Sequence, residues 1–352
     1  MLSYQLQTFG APLAQVLRAT PQPQGSEVLL RVNRCGVCHS DLHLADGYFD
    51  LGQGAKIDLA RSVAPPRTLG HEIAGTVLAL GPNVTSAHDL AIGDRRVVYP
   101  WIGCGTCALC RAGDEHLCNA GRALGVQRDG GFADHVIVPD AKYLLAFDPL
   151  PDDQACTYAC SGLTAWSALK KCAPLAPDEP LLIIGAGGVG LSGIRLAKEL
   201  FGARPIVAEI DRSKWDLALE AGAADVIDPS ADGAGKALLK ATGGGVAAAI
   251  DFVGAGASFA FAFNALRKAG RLVCVGLFGG ATPVSPALLA MKALRISGSY
   301  VGSLAEMHEL MTIARRGTLP HLPVTTRPLA EASAAMADLK AGQVRGRIIL
   351  RP

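Results

Sequence analysis

The chain carries no excess of either charge, no long hydrophobic run and no leader-like segment. Its 33 Lys and Arg against 31 Asp and Glu give a net charge of +2, so there is no electrostatic case for binding nucleic acid or an anionic membrane. The longest apolar stretch, residues 181–194, is interrupted by five glycines and is not a credible membrane span. Because the N-terminus lacks a basic region followed by an uninterrupted apolar stretch, we expect no signal peptide and a cytoplasmic protein.

Charged residues are also scarce, at 18%, whereas 50% of the residues are hydrophobic. This composition argues against disorder and supplies apolar material for more than one core. At 352 residues the chain is too long for one ordinary core, so two domains are expected. We predict a β-rich domain from residues 1–160 and 301–352, and an α/β domain from residues 161–300.

The two predicted domains differ in their structural signals. Before residue 160, short β-rich runs such as 27–32 and 133–138 alternate with Gly, Pro and Asn, which is typical of an irregular antiparallel β domain. One helix is predicted over residues 152–171. After it, strands and helices alternate, beginning with a strand at 181–184, and this repetition predicts a doubly wound parallel sheet with helices on both faces.

Four of the ten cysteines lie within fifteen residues in the pattern C-x2-C-x2-C-x7-C, at Cys104, Cys107, Cys110 and Cys118. Thiolates at this spacing can surround one Zn²⁺ tetrahedrally and leave no position for a substrate. Two disulfides are the alternative, but cysteines two residues apart bridge poorly and the rest of the chain is typical of an intracellular protein. The loop is therefore predicted to bind a structural zinc ion.

A second set of metal ligands is predicted outside that loop, with Cys38 in CGVCHSD, His71 in GHE and Cys160 in ACSGLT. Two thiolates and one imidazole leave the fourth position of zinc open for water or a substrate oxygen, as a catalytic site requires. Each residue alone has an ordinary alternative, since small buried cysteines and structural histidines are common. The cysteines assigned to that ordinary class are Cys35, Cys156, Cys172 and Cys274.

A glycine-rich turn follows the first strand of the alternating region. Residues Gly185 to Gly190, GAGGVG, match G-x-G-x-x-G between a strand and a helix, the pattern that places a pyrophosphate at a helix N-terminus. Glu209 follows Gly190 by 19 positions, and a carboxylate there accepts ribose hydroxyls and repels a 2′-phosphate, so NAD is favoured over NADP. Alternatively, Glu209 is a solvated residue and Asp211 or nothing makes the contact, and Arg212 could accommodate a phosphate.

Together these motifs resemble the zinc-dependent medium-chain alcohol dehydrogenase family over essentially the whole chain. CHSD at residues 38–41, GHE at residues 70–72, the four-cysteine loop, Cys160 and GAGGVG occur in the order typical of that family. The resemblance implies a GroES-like catalytic domain joined to a Rossmann domain, with a catalytic zinc, a structural zinc and NAD. It also implies a homo-oligomer, either dimer or tetramer, formed through the apolar strand near residues 294–301.

Beyond the zinc ligands, the resemblance implies roles for four residues near the metal. Ser40 and His43 would carry a proton from the alcohol, by way of the cofactor ribose, to solvent. Asp41 would orient the zinc-bound histidine, and Glu72 would be the acidic neighbour of the metal. The alternatives are a helix cap or turn serine for Ser40 and a solvated surface position for His43.

The resemblance also implies contacts to the cofactor and to the substrate. His39 and Arg347 would contact the pyrophosphate, and Val189 would lie behind the nicotinamide. The full set of cofactor-binding residues is expected to be His39, Thr164, Gly185, Gly187, Gly188, Val189, Gly190, Glu209, Asp211 and Arg347. The substrate pocket is expected to be lined by Tyr48, Phe49, Trp101, Leu277 and Tyr300.

The implied reaction is reversible hydride transfer between an alcohol and NAD, giving an aldehyde or ketone. Aromatic residues are only 5% of the chain, so their grouping at the expected pocket favours hydrophobic primary or secondary alcohols, cyclic and aromatic ones included. A polyol or amino-alcohol dehydrogenase of the same fold would share every motif. A non-catalytic, cofactor-binding relic is the remote alternative, but it predicts loss of Cys38, Ser40, His43 or His71, and all four are present.

Between His43 and His71 the chain is longer than in many family members. The additional residues, 50–66, are expected at the mouth of the pocket, where they would cover the site or shape the substrate channel. A loop at a subunit contact is the alternative.

Overall fold

The computed structural model describes residues 1–85 and 89–352. In this part of the chain, no helix combines the length and the apolar character needed to span a bilayer. The residues form two compact units, each with its own core. Unit 1 comprises Met1–Tyr48, Asp58–Leu163 and Gly302–Pro352, and unit 2 comprises Phe49–Ile57 and Thr164–Val301.

Strands and short helices dominate unit 1, whereas longer helices alternate with strands in unit 2. The strands are β1 Leu2–Leu6, β2 Ala14–Leu17, β3 Val28–Gly36, β4 Tyr48–Gly52, β5 Ala55–Asp58, β6 Arg67–Thr68, β7 Glu72–Leu80, β8 Arg95–Val98, β9 His135–Val138, β10 Leu144–Ala146, β11 Leu181–Ile184, β12 Ile206–Ala208, β13 Asp225–Ile227, β14 Val246–Asp251, β15 Leu266–Cys274, β16 Arg295–Gly298, β17 Val324–Pro328 and β18 Arg347–Arg351. The helices are α1 His39–Asp46, α2 Ala60–Val63, α3 Ala108–Arg111, α4 Asp152–Ala155, α5 Ser161–Lys171, α6 Gly188–Phe201, α7 Trp215–Glu220, α8 Ala234–Ala241, α9 Gly256–Ala265, α10 Pro286–Met291, α11 Leu304–Ala314 and α12 Ala332–Lys340.

Unit 1 is built on a seven-stranded sheet with the order β10-β8-β7-β3-β18-β17, in which β9 also pairs with β3. A three-stranded sheet, β2-β1-β6, completes its β structure. The C-terminal strand β18 runs antiparallel to β3, with Ile349 opposite Gly36 and Leu350 opposite Cys35. This pairing brings the C-terminal residues beside the start of α1, which follows β3 directly.

Unit 2 contains a six-stranded parallel sheet with the order β13-β12-β11-β14-β15-β16. Its central strand β11, LLII, is buried along its whole length, as expected for a parallel strand covered on both faces. The strand order reverses between β11 and β14, and ligands of such sheets bind beyond the carboxyl ends at that reversal. The α/β class with a doubly wound parallel sheet is thus confirmed.

The helix predicted over residues 152–171 is wrong as a single element. Helix α4 passes into a 3₁₀ turn, Cys156–Ala159, and α5 begins only at Ser161. Between them Cys160 has φ −131° and ψ −72°, outside helical geometry. The local sequence is compatible with continuous helix, and in the structure side chains from other elements bind the backbone on either side of Cys160.

Residues 50–66 form most of a two-stranded sheet, β4-β5, and the short helix α2. Within unit 2 the tip of this sheet packs closely on the loop after β15. A Cβ atom on Gly52 would lie 2.4 Å from the carbonyl carbon of Gly280, and one on Gly279 would lie 2.7 Å from the carbonyl oxygen of Asp50. The role of this segment stays a prediction. The predicted domain limits also stay a prediction; they include residues 49–57 in the β-rich domain, whereas these residues lie in unit 2 of the structure.

Candidate functional site

The four-cysteine loop gathers its thiols into one cluster. The sulfur–sulfur distances are 3.5 Å for Cys107–Cys110, 3.8 Å for Cys107–Cys118 and 3.9 Å for Cys104–Cys110. Tetrahedral zinc with Zn–S bonds of about 2.3 Å places sulfurs about 3.8 Å apart, whereas disulfide sulfurs are about 2.05 Å apart. A hydrogen bond from the Thr106 hydroxyl lowers the pKa of Cys104 to about 5, which favours the thiolate that zinc requires. The donor set fits one tetrahedral Zn²⁺, and none of its members forms a disulfide.

Glu115, which no sequence motif marks, holds the backbone beside this cluster. Its Oε2 accepts hydrogen bonds from the Tyr143 hydroxyl at 2.7 Å and from the backbone N–H of Gly103 at 3.3 Å. A Cβ atom on Gly103 would lie 2.5 Å from the sulfur of Cys110, so the loop needs glycine there. The contact to Tyr143 could not be read from the sequence, because the two residues are 28 positions apart.

Cys38, His71 and Cys160 converge in unit 1 from three distant parts of the sequence. Their two sulfur atoms and a ring nitrogen lie within 4.8 Å of one another, and all three residues are buried. Cys38 is the N-cap of α1, His71 immediately precedes β7, and Cys160 occupies the helix break. A hydrogen bond from the Cys160 thiol lowers the pKa of Cys38 well below its usual range. Two sulfurs and one imidazole at these distances fit a metal ion with three protein ligands.

Asp41 sets the orientation of His71. Its Oδ1 lies 3.2 Å from Nδ1 of His71, and its carboxylate accepts hydrogen bonds from the backbone N–H groups of Cys38 at 2.9 Å and Gly70 at 3.3 Å. Burial opposes a charged imidazole, but the Asp41 carboxylate and the Cys38 sulfur together outweigh it and raise the pKa of His71. Both ring nitrogens are buried, and neither makes a hydrogen bond of good geometry within the described residues; Nδ1 faces the Asp41 carboxylate, whereas Nε2 has no such ion-pair contact. A buried nitrogen in that state needs a partner, and a metal ion provides one.

Glu72 and Arg347 form a buried ion pair in unit 1. Their side chains are 0% and 6% exposed, and Nη2 of Arg347 contacts Oε2 of Glu72. The other carboxylate oxygen of Glu72 accepts a hydrogen bond from the backbone N–H of Ser161 at 3.1 Å. Burial raises the pKa of Glu72, and the guanidinium opposes that rise. Arg347 therefore lies in unit 1 with the metal ligands, and its contact to a pyrophosphate stays a prediction.

Helix α1 carries Ser40 and His43 three positions apart, hence on one face. The Ser40 hydroxyl lies 3.8 Å from the sulfur of Cys38, and His43 is half-buried. Both carboxylate oxygens of Asp46 accept hydrogen bonds from Nζ of Lys340, at 2.9 and 2.8 Å. Burial lowers the pKa of His43 and Lys340 lowers it further, whereas Asp46 and Cys38 oppose the shift. This environment favours a neutral imidazole at neutral pH.

The glycine-rich turn forms the carboxyl end of β11 and the start of α6. Gly185 has a φ of +93°, and a Cβ atom on Gly190 would lie 1.9 Å from the carbonyl oxygen of Gly185, so helix and strand approach too closely for any side chain. Gly187 is the N-cap of α6, and a Cβ atom there would meet nothing within 4 Å. The open space at this helix N-terminus fits a pyrophosphate, and Gly188 and Val189 begin the helix.

Glu209 follows β12 and is 8% exposed. Its carboxylate accepts hydrogen bonds from the backbone N–H groups of Ala186 at 2.7 Å and Asp211 at 2.8 Å. Glu209 therefore ties the end of β12 to the glycine-rich turn, and the alternative of a solvated strand-end residue is wrong. The Arg212 guanidinium stacks over Trp215 at 5.5 Å.

Asp251 was not predicted, yet it organises the loop after β14, beside the strand-order reversal. It is fully buried, and its Oδ1 accepts hydrogen bonds from the backbone N–H groups of Val253 at 2.9 Å and Gly254 at 3.0 Å, while its Oδ2 accepts one from the Ser258 hydroxyl at 2.8 Å. A Cβ atom on Gly185 would lie 2.9 Å from the Val253 side chain, so this loop packs against the glycine-rich turn. Its place at the end of the apolar run 246–250 was the available signal.

The remaining predicted residues are distributed over both units. His39 is exposed at the first position of α1, and Thr164 is 7% exposed in α5. The predicted pocket residues are Tyr48 and Trp101 in unit 1 and Phe49, Leu277 and Tyr300 in unit 2. Their convergence on one pocket stays a prediction.

Two family models match the chain. The alcohol dehydrogenase GroES-like domain matches residues 24–150, and the zinc-binding dehydrogenase model matches residues 188–316. The first covers the four-cysteine loop and two of the three ligands of the second cluster, and the second begins within the glycine-rich turn.

The chain is similar to curated proteins along its whole length. It is 35% identical over 354 residues to an NAD-dependent alcohol dehydrogenase of Sulfurisphaera tokodaii, covering 100% of both chains. It is 31% identical to a D-arabinose 1-dehydrogenase (NADP(+)) of Saccharolobus solfataricus, over 99% of this chain and 96% of that one. Among solved structures, the alcohol dehydrogenase of Aeropyrum pernix superposes with a TM-score of 0.88 at 31% identity, over 100% of both chains.

Substitution of two glycines in the turn is expected to affect different properties, folding stability in one case and NAD binding in the other. Gly190→Ala is expected to destabilise unit 2, because its Cβ would lie 1.9 Å from the Gly185 carbonyl oxygen. Gly187→Ala should leave the thermal midpoint nearly unchanged but fill space that a pyrophosphate would occupy, weakening NAD binding by about tenfold or more. Thermal melts and calorimetric titration with NAD⁺ measure the two effects. Normal NAD⁺ affinity in Gly187→Ala would contradict this assignment of the turn.

Metal analysis of the purified protein should find about two zinc ions per chain. Cys38→Ala removes a ligand of the three-residue cluster, and Cys110→Ala removes one of the four-cysteine loop, so each is expected to retain about one ion. Cys110→Ala should also lower the thermal midpoint, because a structural zinc contributes folding energy to its loop. Retention of both ions in Cys38→Ala would argue against the three-residue site.

Proposed function

The chain belongs to the zinc-dependent medium-chain alcohol dehydrogenase family, and we propose that it oxidises an alcohol reversibly to an aldehyde or ketone with NAD⁺. The main support for this proposal is the buried cluster of Cys38, His71 and Cys160. Three protein donors leave a coordination position for a substrate oxygen, which a purely structural zinc site does not. The four-cysteine loop, with its complete donor set, would hold the structural ion.

Within this proposal Cys38, His71 and Cys160 would hold the catalytic Zn²⁺, and residues 185–190 would hold the pyrophosphate of NAD. A zinc ion there would supply the Lewis acidity that lowers the pKa of an alcohol hydroxyl, and NAD⁺ would supply the hydride acceptor. The chain supplies orientation. Asp41 holds the tautomer of His71 in which Nδ1 carries the proton and Nε2 is presented to the metal.

The proton of the alcohol leaves through side chains of α1. The Ser40 hydroxyl lies next to the Cys38 sulfur and can pass a proton onward, because a hydroxyl both donates and accepts. His43, one helical turn further and half-buried, accepts it as a neutral imidazole and exchanges it with solvent. The lowered pKa of His43 supports this role, since it keeps the imidazole neutral.

NAD is the proposed cofactor, in preference to NADP. The Glu209 carboxylate, held against the glycine-rich turn, would accept the ribose hydroxyls and repel a 2′-phosphate. Asp211 adds a second carboxylate after the same strand. Val189 would lie behind the nicotinamide, with Thr164, His39 and Arg347 as further contacts.

The proposed substrates are hydrophobic primary or secondary alcohols, including cyclic and aromatic ones. Support comes from the apolar character of Tyr48, Phe49, Leu277 and Tyr300, of which the last two are 42% and 50% exposed. A sugar or polyol is the second candidate, favoured by the similarity to the D-arabinose 1-dehydrogenase.

We further propose a cytoplasmic homo-oligomer. Strand β16 lies at the edge of the unit 2 sheet and is exposed along its length, with Ile296 38% exposed. Such an edge presents backbone donors and acceptors that a second copy can pair. The ten cysteines, all within the described residues, form no disulfide, which is consistent with a reducing compartment.

Formation of NADH, followed by its near-ultraviolet absorbance, tests the activity. A panel of aliphatic, cyclic and aromatic alcohols, polyols and D-arabinose should give highest kcat/KM with a hydrophobic alcohol, and NAD⁺ should exceed NADP⁺. Cys38→Ala should lower the rate by several orders of magnitude, because the zinc-assisted step is lost. Highest kcat/KM with D-arabinose would support the second candidate instead, and no turnover of any alcohol by fully metallated protein would refute the proposal.

Lys340→Met should raise the pKa of His43, because it removes a nearby cation and leaves the Asp46 carboxylate unpaired. His43 accepts a proton only when neutral, so the rate falls as pH drops through its pKa. Raising that pKa moves the fall to higher pH. The kcat/KM profile against pH measures this, with exposed Lys236→Met as the matched control. An unchanged profile in Lys340→Met would count against His43 as the acceptor.

A further inference from the structure

Cys160 is held at a point where the backbone cannot supply its own hydrogen bonds. It sits between a 3₁₀ turn and α5, with φ −131° and ψ −72°. Peptide groups next to such a break lose helical partners, and buried ones must find others. Here the neighbours on both sides, Ala159 and Ser161, are fully buried.

Two side chains satisfy those peptide groups. Nε1–H of Trp101 donates to the carbonyl oxygen of Ala159 at 3.0 Å, and Oε1 of Glu72 accepts from the backbone N–H of Ser161 at 3.1 Å. The residue between them is Cys160. Its position thus depends on one donor and one acceptor from outside its own helix.

The two residues that supply these side chains also adjoin His71. Glu72 is its neighbour in the chain, and the Trp101 ring lies against the imidazole with centroids 5.1 Å apart and planes tilted by 53°. Trp101 therefore touches the ligand His71 with its ring and the segment of the ligand Cys160 with its N–H. Glu72 is the first residue of β7, and Trp101 follows β8. These two strands are paired in one sheet, with Ala74 opposite Val97.

We propose that Trp101 is a positioning residue of the metal site, which sets the distance between Cys160 and His71 by bridging them. The indole is only 5% exposed and offers little surface to a substrate, and the pocket-lining role expected from the sequence stays a prediction beside this one. The inference rests on the metal site of the proposed function but not on which alcohol is used. Side chains that orient metal ligands commonly change metal affinity by about 10- to 100-fold when removed.

The test is Trp101→Phe, which keeps an aromatic ring beside His71 but removes the N–H. The matched control is Trp215→Phe in unit 2, where Nε1–H likewise donates to a backbone carbonyl, that of Glu209, at 2.9 Å. Metal affinity is measured by chelator competition. The visible ligand-field bands of protein with Co²⁺ at the three-ligand site report geometry without any turnover.

Trp101→Phe is expected to weaken the catalytic metal by about tenfold or more and to shift the Co²⁺ bands, while the four-cysteine loop keeps its zinc. Trp215→Phe should leave both readouts unchanged. Wild-type affinity and spectrum in Trp101→Phe, with only the ranking of alcohols altered, would overturn the proposal in favour of pocket lining. If Trp101→Phe does not fold, Trp101→Tyr also lacks the indole N–H and provides the same comparison.

The outcome is separable from that of the proposed function. Loss of metal affinity in Trp101→Phe supports the positioning role even if wild-type protein oxidises none of the alcohols tested. Conversely, wild-type turnover of an alcohol together with an unperturbed metal site in Trp101→Phe would leave the function standing and remove the positioning role.

Discussion

The central constraint on unit 1 is that several ionisable side chains are buried and cannot be hydrated. An unpaired buried charge costs several kcal/mol, so each such group needs a partner inside the protein. Asp41 pairs with His71, Glu72 with Arg347, and Cys38 with Cys160. These partners come from α1, β7, β18 and the helix break, so the metal site also locks distant parts of the chain together. The groups concerned, each at most 6% exposed, are Cys38, Asp41, His71, Glu72, Cys160 and Arg347.

Unit 2 is expected to bind an anionic ligand, and it therefore offers different chemical groups from those of unit 1. A cation is expected in unit 1, and the residues there offer sulfur, carboxylate and imidazole donors. A pyrophosphate is expected in unit 2, and the structure offers backbone N–H groups at the start of α6 with glycines that leave room for approach. The carboxylates of Glu209 and Asp251 accept hydrogen bonds from backbone N–H groups and so also hold the surrounding loops in shape. The charge of the expected ligand thus explains the chemistry of each unit.

Trp101 illustrates why a residue's class does not determine its role. An aromatic residue near the metal ligands is expected to line a substrate pocket, and the sequence favours that interpretation. In the fold its ring is covered and packs against His71, and its N–H donates to the carbonyl oxygen of Ala159, so its described contacts are to the segments that carry the metal ligands. Leu277 and Tyr300, by contrast, are well exposed in unit 2, and their contact with a substrate stays a prediction.

The four-cysteine loop, the glycine-rich turn and the alternation of strands and helices could be predicted because each is local, so that spacing along the chain limits where the side chains can go. The family order of the motifs extended this to Cys38, His71 and Cys160. Tertiary structure alone decided the break at Cys160, the contact of Tyr143 with Glu115 and the pairing of Glu72 with Arg347, 275 positions apart. These features leave no local pattern, because they depend on which distant surfaces pack together and on the need of buried polar groups for partners.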